Sequence, residues 1–125
     1  MKLDSNDPSA GENRITAYGE DYVIVNQRRY DQSVVVLADR IIENWGAQRF
    51  DELMPSHFKL LQSLAPEIVL LGTGNRLRFP SPRLSESLVQ AGIGLEVMDT
   101  RAACRTYNIL TAEGRRIAAA LIIEV

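Results

Sequence analysis

The sequence predicts an α/β fold in which N-terminal antiparallel strands precede βαβ units, forming a small mixed sheet packed by about three helices. Three observations predict it. Residues 14–53 hold short runs of β-branched and aromatic residues separated by polar stretches, the pattern of strands and hairpins. Beyond residue 55, apolar runs of strand length alternate with segments of helical spacing, as in βαβ units with right-handed crossovers. The segment "RRIAAALIIEV" is almost wholly apolar through its middle, which suits a strand covered on both faces. A chain of 125 residues is the size of one domain and buries roughly 65–70% of the surface its unfolded form exposes. The reading is one α/β domain over residues 14–125 after a polar, flexible N-terminus over residues 1–13.

Taken in order, "ITAYG", "YVIV" and "VVVLAD" read as strands, and Asn26–Gln27 in "VNQRRY" reads as a tight hairpin turn. Val34 to Ala38 show no alternation, so both faces of that strand are expected to be covered. Trp45 and Phe50 flank Gly46 and close one edge of the core. "PSHFKLLQSLAPE" predicts a helix capped by Ser56, with Leu60, Leu61 and Leu64 inward and Pro66 as its stop; His57 is expected as a partly exposed first-turn residue. "EIVLLGTG" is a short buried strand, and "NRLRF" alternates like another. "FPSPRLSESLVQAGIG" predicts a helix with Ser81 as cap, Pro82 in its first position and Gly92 at its C-terminal turn. "GLEVM" is the next strand, and Asp99 or Thr100 caps a last helix that runs to about Ala112 and ends at Gly114.

Composition closes several routes. A net charge of -2 supplies no field for nucleic acid. One cysteine makes no internal disulfide, and one cysteine with one histidine is too few for a structural zinc site; no cofactor is expected. A reducing cytoplasm suits this usage. No apolar run approaches the roughly 20 residues of a membrane-spanning helix, so no membrane insertion is expected. "MKLDSNDPSAGEN" lacks the apolar core of a signal peptide and the arginines of a transit peptide.

The candidate site follows from topology. If the strands Ile68–Leu71 and Leu95–Val97 run parallel and adjacent, Gly72, Thr73 and Gly74 stand beside Met98, Asp99 and Thr100 at the strands' carboxyl ends, where open α/β sheets bind ligands. The glycines of "LLGTG" serve either a turn or a ligand-contacting loop; the phosphate-loop likeness is weak, because no helix or Lys-Ser/Thr follows. The N-terminus of the last helix attracts an anion, whereas Asp99 as its cap opposes one. Cys104 lies about a turn into that helix and borders its buried stripe of Ala103, Tyr107, Leu110 and Thr111. It reads as packing, with a reactive or redox role as the sharper alternative. Glu96 points into a cleft or pairs with an arginine. Tyr107 and Asn108 orient a ligand, or Tyr107 fills the core with its hydroxyl at the rim and Asn108 is solvated.

"GLEVMDTRAACRTYNIL…EGRR", with "LLGTG" upstream, resembles a domain-of-unknown-function family shared by many bacterial proteins, mitochondrial complex I assembly factor 3 and the adipogenesis-associated domain protein. The resemblance extends from about Ile15 to the C-terminus. It implies a compact α/β domain and, for the mitochondrial relatives, a role in assembly; it brings no catalytic residues. Without a presequence, a bacterial or cytoplasmic member is expected. The leading expectation is therefore a non-catalytic protein-interaction or assembly-factor-like module with a protein partner. The second is a small-molecule-binding domain or enzyme using the junction of Gly72–Gly74 with Met98–Cys104. The third is cysteine-dependent redox activity.

Overall fold

The computed structural model describes residues 12–124. Among these residues the elements are the strands β1 (Ile15–Tyr18), β2 (Val23–Val25), β3 (Arg28–Tyr30), β4 (Val34–Leu37), β5 (Arg40–Glu43), β6 (Ile68–Gly72), β7 (Gly94–Met98) and β8 (Ile117–Leu121), the helices α1 (Pro55–Ser63), α2 (Glu86–Gln90) and α3 (Thr100–Ala112), and a 3-10 turn at Phe50–Glu52. They form a three-stranded sheet in the order β1-β2-β3 and a five-stranded sheet in the order β5-β4-β8-β6-β7. In the larger sheet β4 runs antiparallel to β5 and β8, while β6 runs parallel to both β8 and β7. The mixed sheet expected from the sequence is present.

The sheet separates two apolar layers. Ile117, Ala119 and Leu121 of β8 face α3 and the small sheet, packing with Ile15, Val23, Cys104 and Tyr107. Ala118, Ala120 and Ile122 face the other way, with Phe58 and Leu61 of α1, Leu88 of α2 and Trp45. All five β8 residues are buried, as are all four of β4, which explains their lack of alternation. Asn26 and Gln27 both have positive φ, 51° and 78°, the two-residue turn that matches the twist of a hairpin.

Four expectations need correction. Helix α1 begins two residues early: Met54 is its cap and Pro55 its first residue, so Ser56 is already helical. His57 is buried rather than partly exposed; its Nδ1 accepts a hydrogen bond from the Met54 N–H at 2.9 Å, and its ring meets Trp45 edge-on at 5.5 Å. The helix expected from Ser81 is shorter. Residues 81–85 make i→i+3 turns, Leu84 N–H to Ser81 O and Ser85 N–H to Pro82 O, and α-helical geometry starts only at Glu86. "RLRF" is not a strand, because its backbone closes on Thr73 as described below.

The expected flexible N-terminus lies outside the described residues up to residue 11. Asn13, assigned to it, is tied down: its N–H donates to Ala38 O at 2.8 Å, and its amide nitrogen to Leu37 O at 2.7 Å.

Candidate functional site

Strands β6 and β7 pair parallel in register from Ile68↔Gly94 to Gly72↔Met98, so their following loops do share one rim. The rim is knitted shut by the chain's own hydrogen bonds. Thr73 N–H donates to Met98 O at 2.9 Å, and Thr100 N–H donates to Gly74 O at 2.9 Å. The buried Thr100 hydroxyl is shared twice, accepting from Gly74 N–H at 2.8 Å and donating to Ile122 O at 2.7 Å. One side chain thus joins the ends of β6, β8 and α3. Gly72 is required by contact: a Cβ there would lie 3.0 Å from Thr100 Cα and 3.2 Å from Ala103 Cβ. Gly74 is required by backbone, with φ at +96°.

Of the nine candidate residues, Gly72, Thr73, Gly74, Met98, Asp99 and Thr100 are brought together, and Glu96, Cys104 and Tyr107 are not. Glu96 is exposed on the edge strand β7 and makes no ion pair among the described residues; neither a cleft nor an arginine receives it. Cys104 and Tyr107 face the core. Burial pushes the Cys104 thiol up to about 12. On the order of one molecule in ten thousand then carries thiolate at pH 8, so iodoacetamide is expected to label Cys104 only as the protein unfolds. Labelling of the folded protein at the rate of a free peptide thiol would refute its assignment to packing. Burial likewise pushes the Tyr107 phenol up to about 12, and that hydroxyl donates to Asn13 O at 2.9 Å.

Asp99 settles the conflict at the helix start. Its carboxylate accepts from Ala102 N–H at 2.8 Å and occupies the place an anion would take. Outside the sealed junction a shallow polar depression of about 250 Å³ remains, bordered by Gly74, Asn75, Asp99, Arg101 and Glu20. Among the described residues no three His, Cys, Asp or Glu side chains converge on a metal position.

The most unusual part of the rim is the segment after Gly74. The Thr73 hydroxyl donates to Arg76 O at 2.7 Å and accepts from Arg78 N–H at 3.2 Å, which curls residues 73–78 into a closed loop. The Arg78 guanidinium turns inward. It donates to Thr73 O at 3.2 Å, lies 4.6 Å over the Phe50 ring and pairs with the mostly buried Glu124. With the arginine committed inward, Leu77 and Phe79 point out, 50% and 72% exposed.

Sequence reasoning missed Arg78 and Glu124 and misread Asn108. Asn108 is not solvated: its amide accepts from Ile15 N–H at 3.0 Å and donates to Ile15 O at 2.7 Å, clamping β1 to α3 like a further strand. The only available signal was its place next to the buried stripe. Replacement by alanine leaves two backbone groups of buried Ile15 unpaired and is expected to cost about 2 kcal/mol. Amide exchange speeding up in β1–β3 before the large sheet would check that.

Comparison with known proteins extends the picture. A crystal structure of a Bordetella parapertussis protein matches with 40% identity and a TM-score of 0.85, covering 91% of this chain and 98% of that one. NADH dehydrogenase [ubiquinone] 1 alpha subcomplex assembly factor 3 of Bos taurus is 34% identical over 110 residues, which are 86% of this chain and 59% of the factor. The chain thus spans about three-fifths of the length of that relative. The 13 kDa major membrane protein of Francisella tularensis is 28% identical over 84% of this chain and 86% of its own; among the described residues here, no helix is long and apolar enough to cross a membrane. The family model of a protein of unknown function (DUF498/DUF598) aligns with residues 15–122, from the first strand to the end of the last, and the chain belongs to that family.

Proposed function

We propose that this protein is a non-catalytic interaction module of assembly-factor type, which docks a protein partner on the rim at the carboxyl ends of β6 and β7. The observation that carries the reading is the loop 75–79. An arginine is held inward by a carboxylate, an aromatic face and a carbonyl, and two large apolar side chains are held outward in water. Exposing Leu77 and Phe79 has no folding benefit, and apolar groups displayed on a fixed loop are what protein interfaces use as anchors. Arg76 and Arg83 flank them, exposed and without carboxylate partners among the described residues, so the partner surface is an apolar groove edged by acidic groups. The assembly-factor relatives support a protein partner, and the cysteine usage supports a reducing, cytoplasmic setting.

The test is capture from extract of the source cell by the wild type and by a Leu77→Ser, Phe79→Ser double variant. Both positions are exposed, so the variant should keep its melting temperature while losing a stoichiometric partner that the wild type retains. No partner, or one held equally by both, would overturn the reading. Arg78→Met separates display from contact. It removes the pin and leaves Glu124 with only the exposed Arg49 at 3.8 Å, at a cost of about 1 kcal/mol after discounting for partial exposure. Partner affinity should fall although Leu77 and Phe79 remain.

A further inference from the structure

A second cavity lies at the opposite end of the sheet, where β4 ends and β6 and β8 begin. It measures about 300 Å³ and has an apolar floor of Leu37, Leu64, Pro66 and Ile117. Thr111 of α3 lines it and is 9% exposed, and its hydroxyl has no hydrogen-bond partner among the described residues. The neighbouring Tyr107 hydroxyl donates to Asn13 O at 2.9 Å, and its closeness to Thr111 falls short of hydrogen-bond geometry. A buried hydroxyl left unpaired in a native structure calls for an explanation, and a ligand atom supplies one.

The mouth is charged. Arg40, Arg115 and Arg116 stand there against Glu12 and Asp39. Glu67, just outside, accepts from Arg115 Nε at 3.0 Å and from Arg116 N–H at 3.1 Å, which leaves the terminal guanidinium nitrogen atoms of Arg115 outside that bond. Arg40 has no ion-pair partner among the described residues.

We propose that this cavity is a binding site for a short apolar carboxylic acid. The hydrocarbon lies on Leu37, Leu64, Pro66 and Ile117, the Thr111 hydroxyl donates to one carboxylate oxygen, and a guanidinium of the mouth takes the other. Guanidinium and carboxylate match as planar, bidentate partners, and a volume of this size suits a ligand of a few carbons. The site is independent of the rim that displays Leu77 and Phe79; it sits at the other end of the strands and needs none of the same residues.

The experiment is a ¹⁵N NMR titration of the full chain with sodium hexanoate, with hexanol as the uncharged control. Saturable shifts confined to residues 37–40, 64–66 and 111–117 are expected for hexanoate, with hexanol at least tenfold weaker. Thr111→Val keeps the shape and removes the unpaired hydroxyl. It should bind hexanoate about tenfold more weakly while its melting temperature holds or rises, a split that a purely structural threonine would not give. Arg40→Gln, at an exposed position, should weaken binding several-fold without changing stability. Absent or unsaturable shifts, equal binding of hexanol, or a Thr111→Val protein that loses stability and keeps its affinity would each overturn the proposal.

Discussion

Replacing Thr100 by valine is expected to cost about 3 kcal/mol of folding stability although it changes almost no volume, because it strands two buried backbone groups at once. The Thr100 hydroxyl is the acceptor for Gly74 N–H and the donor to Ile122 O, at 2.8 and 2.7 Å. Valine leaves both without a partner where water does not reach. Each such group costs roughly 1–3 kcal/mol, more than the net gain an ordinary hydrogen bond gives. Thr100→Ser retains the hydroxyl and should lose only about 1 kcal/mol, mostly from the missing methyl. Urea unfolding of the three proteins decides the matter. A valine variant within about 0.5 kcal/mol of wild type would mean that the hydroxyl does not hold the rim.

Gly72→Val is expected to be at least as damaging, about 3 kcal/mol or outright failure to fold, by a different route. Even the first added atom would stand 3.0 Å from the Cα of Thr100 and 3.2 Å from the Cβ of Ala103. Backbone cannot swing aside as a long side chain can, so α3 must lift off the sheet. Valine adds two further methyls to that overlap. Gly72→Ala should lie between, and pairing it with Ala103→Gly should restore only part of the loss, since the Thr100 contact remains. Complete restoration would place the clash at Ala103 alone. The two sites share atoms, so a Gly72→Ala, Thr100→Val double variant should not show additive losses.

How far the sequence foretold this arrangement depends on how local each signal was. Strand β8 was legible because seven consecutive apolar residues have few other homes than the middle of a sheet. The parallel pairing of β6 and β7 followed from helix-strand alternation, and the Asp99 cap from its position before a helical run. The rim was located correctly, but its being filled was not foreseen, since that depends on Thr100 reaching both Gly74 and Ile122 across 26 and 22 residues. "RLRF" alternates like a strand, yet a threonine hydroxyl and a distant Glu124 draw its second arginine inward. Alternation reports which side chains separate, not which side faces protein. Asn108 was misjudged for a related reason: periodicity treats amides as polar, while this one takes the place of a strand partner for Ile15. The same holds for His57, whose ring nitrogen completes the start of α1.

The order β5-β4-β8-β6-β7 also constrains how the chain can fold. Its middle strand is the last of the five to be synthesised, so while a ribosome is still making α3, β4 and β6 are without the neighbour that will join them. Until β8 arrives, two valine- and leucine-rich edges are open, and each can recruit a strand from another nascent chain. Insertion of one alanine-rich strand between them then closes both gaps in a single late event, so the antiparallel and parallel halves become stable together or not at all.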